Sequence, residues 1–161
     1  GLVYRYFENK SQMLIEVLSH AIRYEVDILD HIAASDLSAE QKLAKAVTTF
    51  VKRALNSPQL AYSLIFEPVD PALEHERFRS KQLIKQTIKV ILAEGKSTGA
   101  FGFEDLNTAA LCVVGAMTFV VIEPLSPSRG MIFDQSYKDY FVKQISDFCL
   151  NAVKVQEGQH I

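Results

Sequence analysis

The 161 residues are 48% hydrophobic and 22% charged, with only 7 Gly and 5 Pro, proportions that fill a core and exclude a disordered or low-complexity chain. A formal charge of -2 gives no overall positive field of the kind nucleic-acid affinity rests on, so any such contact must be local or come from residues outside this sequence. Cys112 and Cys149 form no CxxC or Cys/His spacing, which argues against a disulfide framework or structural zinc and fits a reducing, cytoplasmic setting.

Asn9 followed by Gln12 is a capping-box pattern that predicts a helix from near Lys10. Leu14, Leu18, Ala21, Ile22, Ile28, Leu29 and Ile32 then recur at helical spacing, and the Ala-Ser-Asp stretch at 34–36 ends the helix. Ser38 with Gln41 repeats the capping box, and Leu43, Ala46, Val47, Phe50, Val51 and Ala54 carry a second stripe to about Leu55. Ser57-Pro58 starts a short helix through Tyr62 and Phe66, with proline at a first-turn position where its missing N–H costs nothing. Asp70-Pro71 gives the same signal for a long helix bearing Leu73, Phe78, Ile84, Ile88, Ile91 and Leu92, closed by Gly95, Gly99 and Gly102.

From Glu104 to about Glu123 the chain is apolar almost all round, which requires cover on two faces. Its apolar run, Ala109 to Ile122, falls short of the roughly 20 residues a membrane-spanning helix needs, so no membrane partner is expected. Asp134 caps a last helix carrying Tyr137, Tyr140, Phe141, Ile145, Phe148 and Leu150. No segment alternates with period two, so the expected fold class is all-α, without a linker or repeat.

The histidines His20, His31, His75 and His160 stand in no HExxH or Glu-x-x-His spacing, which weighs against a metalloenzyme. Glu16 with His20, and Asp27 with His31, are four apart and read as a solvated helix face rather than a metal clip. Glu67, Asp70, Glu74 and Glu76 crowd a helix start, where carboxylates offset the positive end of the dipole. Lys81, Lys85 and Lys89 form an i, i+4 line, read as the wet side of an amphipathic helix with an anion-facing role as the alternative. No GxGxxG, GxxxxGK or GxSxG occurs. No enzyme, cofactor or metal is expected.

The most specific string opens the chain: Gly1-Leu2-Val3-Tyr4-Arg5-Tyr6-Phe7-Glu8-Asn9-Lys10, just ahead of a capped amphipathic helix. It resembles the junction between the recognition helix and the following helix in the TetR family of bacterial transcriptional regulators, with Tyr4, Tyr6, Phe7 and Lys10 in the diagnostic places. The helix order behind it is similar to that family's effector-binding and dimerisation domain. The resemblance implies that residues 1–9 are the remnant of a helix-turn-helix and 10–161 the regulatory domain. It also implies that the helices preceding the recognition helix lie outside this sequence, so that this chain alone is not expected to read an operator. Tyr hydroxyls and a lysine in a helix's first turn suit phosphate oxygens, so Tyr4, Tyr6 and Lys10 are expected to contact the DNA backbone in the longer protein, and Phe7 to pack.

The function expected from the resemblance is that of a ligand-responsive regulator, a repressor, with a helical protein-interaction module lacking a small-molecule ligand as the alternative. A homodimer is expected through the last two long helices, with Ala110, Val114, Val121, Tyr137, Phe141, Ile145 and Phe148 at the seam. A small hydrophobic effector is expected against Phe50, Ala54, Tyr62, Phe66, Ile84, Ile88, Val113 and Met117, with the Tyr62 hydroxyl as its polar handle. No Arg, Asp or His cluster is expected to interrupt those inward faces.

Overall fold

The computed structural model describes residues 10–65, 71–125, 134–156 and 158. Helix α1 spans Lys10–Ala33, α2 Ala39–Asn56, α3 Pro58–Ile65, α4 Pro71–Ser97, α5 Leu106–Phe119, α6 Ile122–Leu125 and α7 Gln135–Val153. No strand is present among the described residues, only a single antiparallel bridge between Phe101 and Lys154.

Local chemistry sets the helix starts. Ser38 Oγ accepts from the Gln41 amide at 3.2 Å while Gln41 Oε1 accepts from the Ser38 amide at 3.1 Å, the reciprocal capping box expected for α2. Asp134 Oδ1 accepts from the Tyr137 amide at 2.8 Å and starts α7. Asn9, the expected cap of α1, and Asp70, ahead of α4, lie outside the described residues.

Helix α5 is shorter than the apolar run predicts. Asp105 caps it through the Thr108 amide at 2.6 Å, and the chain turns at Val120–Val121 instead of continuing to Glu123. That turn drops Val121 into the core, where none of its surface is exposed.

Leu43, Val47 and Val51 of α2, Ile88, Ile91 and Leu92 of α4, and Met117 of α5 meet in the main core, each fully enclosed. Enclosing a side chain of this size contributes on the order of 1.5–3 kcal/mol. Helix α2 packs on α7, and α4 lies between α1 and α5. A smaller cluster of Leu18, Ile22 and Leu73 joins the first half of α1 to the start of α4. Polar ties add register to that apolar contact: Ser19 donates to Glu76 at 2.9 Å and Thr87 to Asp30 at 2.5 Å. Phe78 of α4, expected on the apolar stripe, is instead exposed.

Gly99, at φ 79°, turns the chain out of α4 in a conformation a side chain resists. The turn lays the Phe101 ring over Gly95, where any Cβ would stand 2.0 Å from the ring. The Gly102 amide then donates to the Val153 carbonyl at 2.9 Å, tying the α4–α5 connection to the end of α7.

Candidate effector cavity

A cavity of about 240 Å³ opens among α1, α2, α3 and α4, with Thr118 of α5 at its wall. Helical spacing explains its composition. Phe50, Arg53, Ala54 and Ser57 stand at i, i+3, i+4 and i+7 on the side of α2 that faces it, and Arg77, Lys81 and Ile84 make the same progression on α4. Ile22 and Glu25 contribute from α1, and Leu60, Ala61, Leu64 and Ile65 from α3.

Phe50, Ala54 and Ile84 therefore lie where the sequence reading puts them, in the cavity wall. Ile88, Val113 and Met117 do not line it; they are buried in the main core, because their helix angles turn them past the cavity toward α2 and α5. Tyr62 is half-buried on α3, already engaged, and is not part of the wall. Phe66 lies outside the described residues.

The wall is not free of charge, contrary to expectation. Arg53, Arg77 and Lys81 all line it, with Glu25 as a counterpart. Glu25 is held by Arg53, with Nη2 to Oε1 at 2.7 Å and Nε to Oε2 at 3.0 Å, and Arg53 also lies over the Tyr24 ring at 5.1 Å. The hydrogen bond to Glu25 holds the Arg53 guanidinium above its already high ordinary pKa, although partial burial opposes the shift.

Arg77 is only 4% exposed. Its Nη1 donates to Glu74 at 2.7 Å and its Nη2 to the Ser63 carbonyl, latching α4 to α3, but its Nε is buried with no hydrogen-bond partner. An unmet buried donor of this kind costs roughly 1–3 kcal/mol, more when charged. Lys81 is exposed, and no ion pair to a carboxylate is formed by it among the described residues. The i, i+4, i+7 line of Arg77, Lys81 and Ile84 was the signal in the sequence, masked by reading the lysines as a uniformly wet face.

Away from the cavity, α5 and α7 present an apolar exterior. Leu111 and Phe119 of α5 are 56% and 74% exposed, with Gly115 between them in open space, and Tyr140 and Phe148 of α7 are 61% and 69% exposed. A surface hollow of about 420 Å³ runs between these helices past Cys112, Ala116, Phe148 and Ala152. The expected seam residues divide here. Tyr137 and Phe148 are exposed and Phe141 is half-buried, its ring stacked on Tyr137 at 6.2 Å, but Ala110, Val114, Val121 and Ile145 are buried inside the protomer. The seam expected from the sequence was thus set on the wrong register of α5.

Among the described residues no group of three His, Cys, Asp or Glu side chains could hold a metal ion, and no helix is long and apolar enough to cross a membrane. His31 contacts the Asp27 backbone carbonyl rather than its carboxylate. Tyr4 and Tyr6 lie outside the described residues, and Lys10 opens α1.

No protein-family model matches the chain, and no curated protein matches it by sequence. Solved structures do match. The TetR/AcrR-family transcriptional regulator of Thermobifida fusca YX-ER1 superposes with a TM-score of 0.73 at 19% identity, over 93% of this chain and 78% of that one. The fatty acid degradation regulator FadR of Bacillus halodurans gives 0.79 at 21% identity, over 99% and 79%. The transcriptional regulator FadR of Bacillus subtilis, solved in complex with stearoyl-CoA, gives 0.77 at 16% identity, over 93% and 80%. The chain has the all-α fold of TetR/AcrR-family transcriptional regulators.

Proposed function

We propose that this chain is the regulatory part of a ligand-responsive transcriptional repressor of the TetR type, acting in the cytoplasm as a homodimer and carrying no enzymatic activity. The observation that carries this reading is the cavity enclosed by α1 to α4 in a chain with that fold. A ligand bound there touches α1, the helix continuous with residues 1–9, and so bears on whatever those residues adjoin. It works as a switch only to the extent that it binds one arrangement of α1 more tightly than another. The apolar share of the wall supports a mainly hydrophobic effector, and the stearoyl-CoA bound to the Bacillus subtilis regulator shows that a neighbour of this fold takes an amphiphile.

The exposed line of Leu111, Gly115 and Phe119, beside Tyr140 and Phe148, supports pairing of α5 and α7 with the same helices of a second copy. In the longer protein Tyr4, Tyr6 and Lys10 contact DNA phosphates, positioning a helix-turn-helix on a palindromic operator. The interaction-module alternative has the α5–α7 face in its favour but leaves the cavity without a role.

The test uses protein expressed from the complete reading frame, with binding to its own promoter followed by fluorescence anisotropy. Specific binding that a cavity ligand releases is the expected result. Absence of specific binding in the ligand-free protein would overturn the reading. Lys10→Ala should weaken binding to all sequences alike and lower the salt slope by about one, since it removes one phosphate contact.

A further inference from the structure

We propose that the cavity binds a small apolar monocarboxylate, its carboxylate accepting from Arg77 Nε and its hydrocarbon body lying against Phe50, Ala54 and Ile84. This rests on the reading of the cavity as the effector site and names the chemistry of what enters it. Three observations converge. Arg77 is held on two of its nitrogens, by Glu74 and the Ser63 carbonyl, so its guanidinium is fixed in the wall, and its buried Nε is the donor left over. A guanidinium cannot shed its proton to escape that condition, so an acceptor must be brought to it, and a carboxylate is the acceptor that also matches its charge.

The charges of the wall set the number. Arg53 is matched by Glu25 and Arg77 by Glu74, which leaves Lys81 as the charge with no carboxylate among the described residues. One negative charge balances that excess, and a polyanionic head group would exceed it. Size points the same way: about 240 Å³ lies below the roughly 300–1,000 Å³ of drug-sized pockets, room for a short acid and not for an acid joined to a nucleotide.

The experiment compares octanoate, 1-octanol and octanoyl-CoA on the 161-residue chain, by thermal shift and calorimetric titration. Octanoate should raise the midpoint and bind at least tenfold more tightly than 1-octanol, which has the same chain and no charge. Lys81→Gln, at an exposed position, should weaken octanoate several-fold and leave 1-octanol unchanged. Arg77→Gln should remove the preference for octanoate, with circular dichroism confirming that the helices remain. Equal binding of octanoate and 1-octanol would overturn the carboxylate assignment while leaving an apolar effector site intact. Tight binding of octanoyl-CoA alone would overturn it too, by placing recognition in the nucleotide. Binding of none of the three would overturn both this inference and the effector reading on which it rests.

Discussion

Arg53 on α2 and Glu25 on α1 form a forked ion pair across the cavity wall, with Nε and Nη2 at 2.8 Å and 2.7 Å from the same carboxylate oxygen. The pair is both a tie between two helices and a neutralised part of the binding surface. Its side chains are 38% and 21% exposed, so solvent screens it and its worth to stability is roughly 0.2–1 kcal/mol. Glu25→Gln should therefore lower stability only slightly in urea unfolding. The same change frees the Arg53 charge inside the cavity and should tighten octanoate binding. Weaker binding in that variant would show that Glu25 shapes the wall instead of balancing it.

Two glutamate substitutions separate the exterior of α5 and α7 from the core beneath it. Phe148, 69% exposed, should accept glutamate with its helices intact and convert a dimer to a monomer in sedimentation equilibrium. Val121, with no exposed surface, should not: an unpaired carboxylate there costs several kcal/mol and unfolds the chain. A folded monomeric Val121→Glu protein would contradict the position of that residue.

Gly95 tests the turn after α4. A Cβ there would meet the Phe101 ring at 2.0 Å, and that ring is 3% exposed with little room to retreat. Gly95→Ala should cost about 1–3 kcal/mol despite alanine's better helix propensity, the usual range for overpacking. Pairing it with Phe101→Leu should recover part of the loss, a coupling that a double-mutant cycle measures directly.

Cys149 gives the chain an alkaline limit. Burial pushes its thiol from 9.0 up to about 11, so between those values the unfolded chain loses a proton that the folded chain keeps. The unfolded state then binds fewer protons, and stability falls as pH rises through that window, by at most ~1.4 kcal/mol per unit. Wild type should lose stability from pH 9 to 10.5 faster than Cys149→Ala, the difference cancelling contributions from tyrosines and lysines. Cys112, exposed on α5, should react with a thiol reagent in the folded protein, and more slowly as concentration rises and the α5–α7 face is covered.

The parts of this molecule legible in sequence are those fixed by neighbours in the chain. The Ser38–Gln41 box and the Asp134 cap are hydrogen bonds spanning three residues, and the structure has both. The stripe of α2 was legible because a polar face opposes it, and each of its apolar residues is buried. Helix α5 offers no such contrast. With apolar side chains all round, nothing local says that Ala110 and Val114 turn inward while Leu111 and Phe119 turn out. Arg77 was missed for a different reason: a charged residue reads as solvated unless its partners are known, and one of them, Ser63, sits on another helix.

Helix α1 is a single rod of 24 residues, and the cavity touches it at Ile22 and Glu25, well along its length. At 1.5 Å per residue, the stretch from Glu25 back to Lys10 is a lever arm of about 22 Å. A tilt of about 5° at its fulcrum carries the far end through roughly 2 Å, comparable to the shifts that distinguish two packed states of a helix interface. A molecule too small to reach beyond the cavity can thus be felt at the other end of the helix, with rigidity doing the transmission.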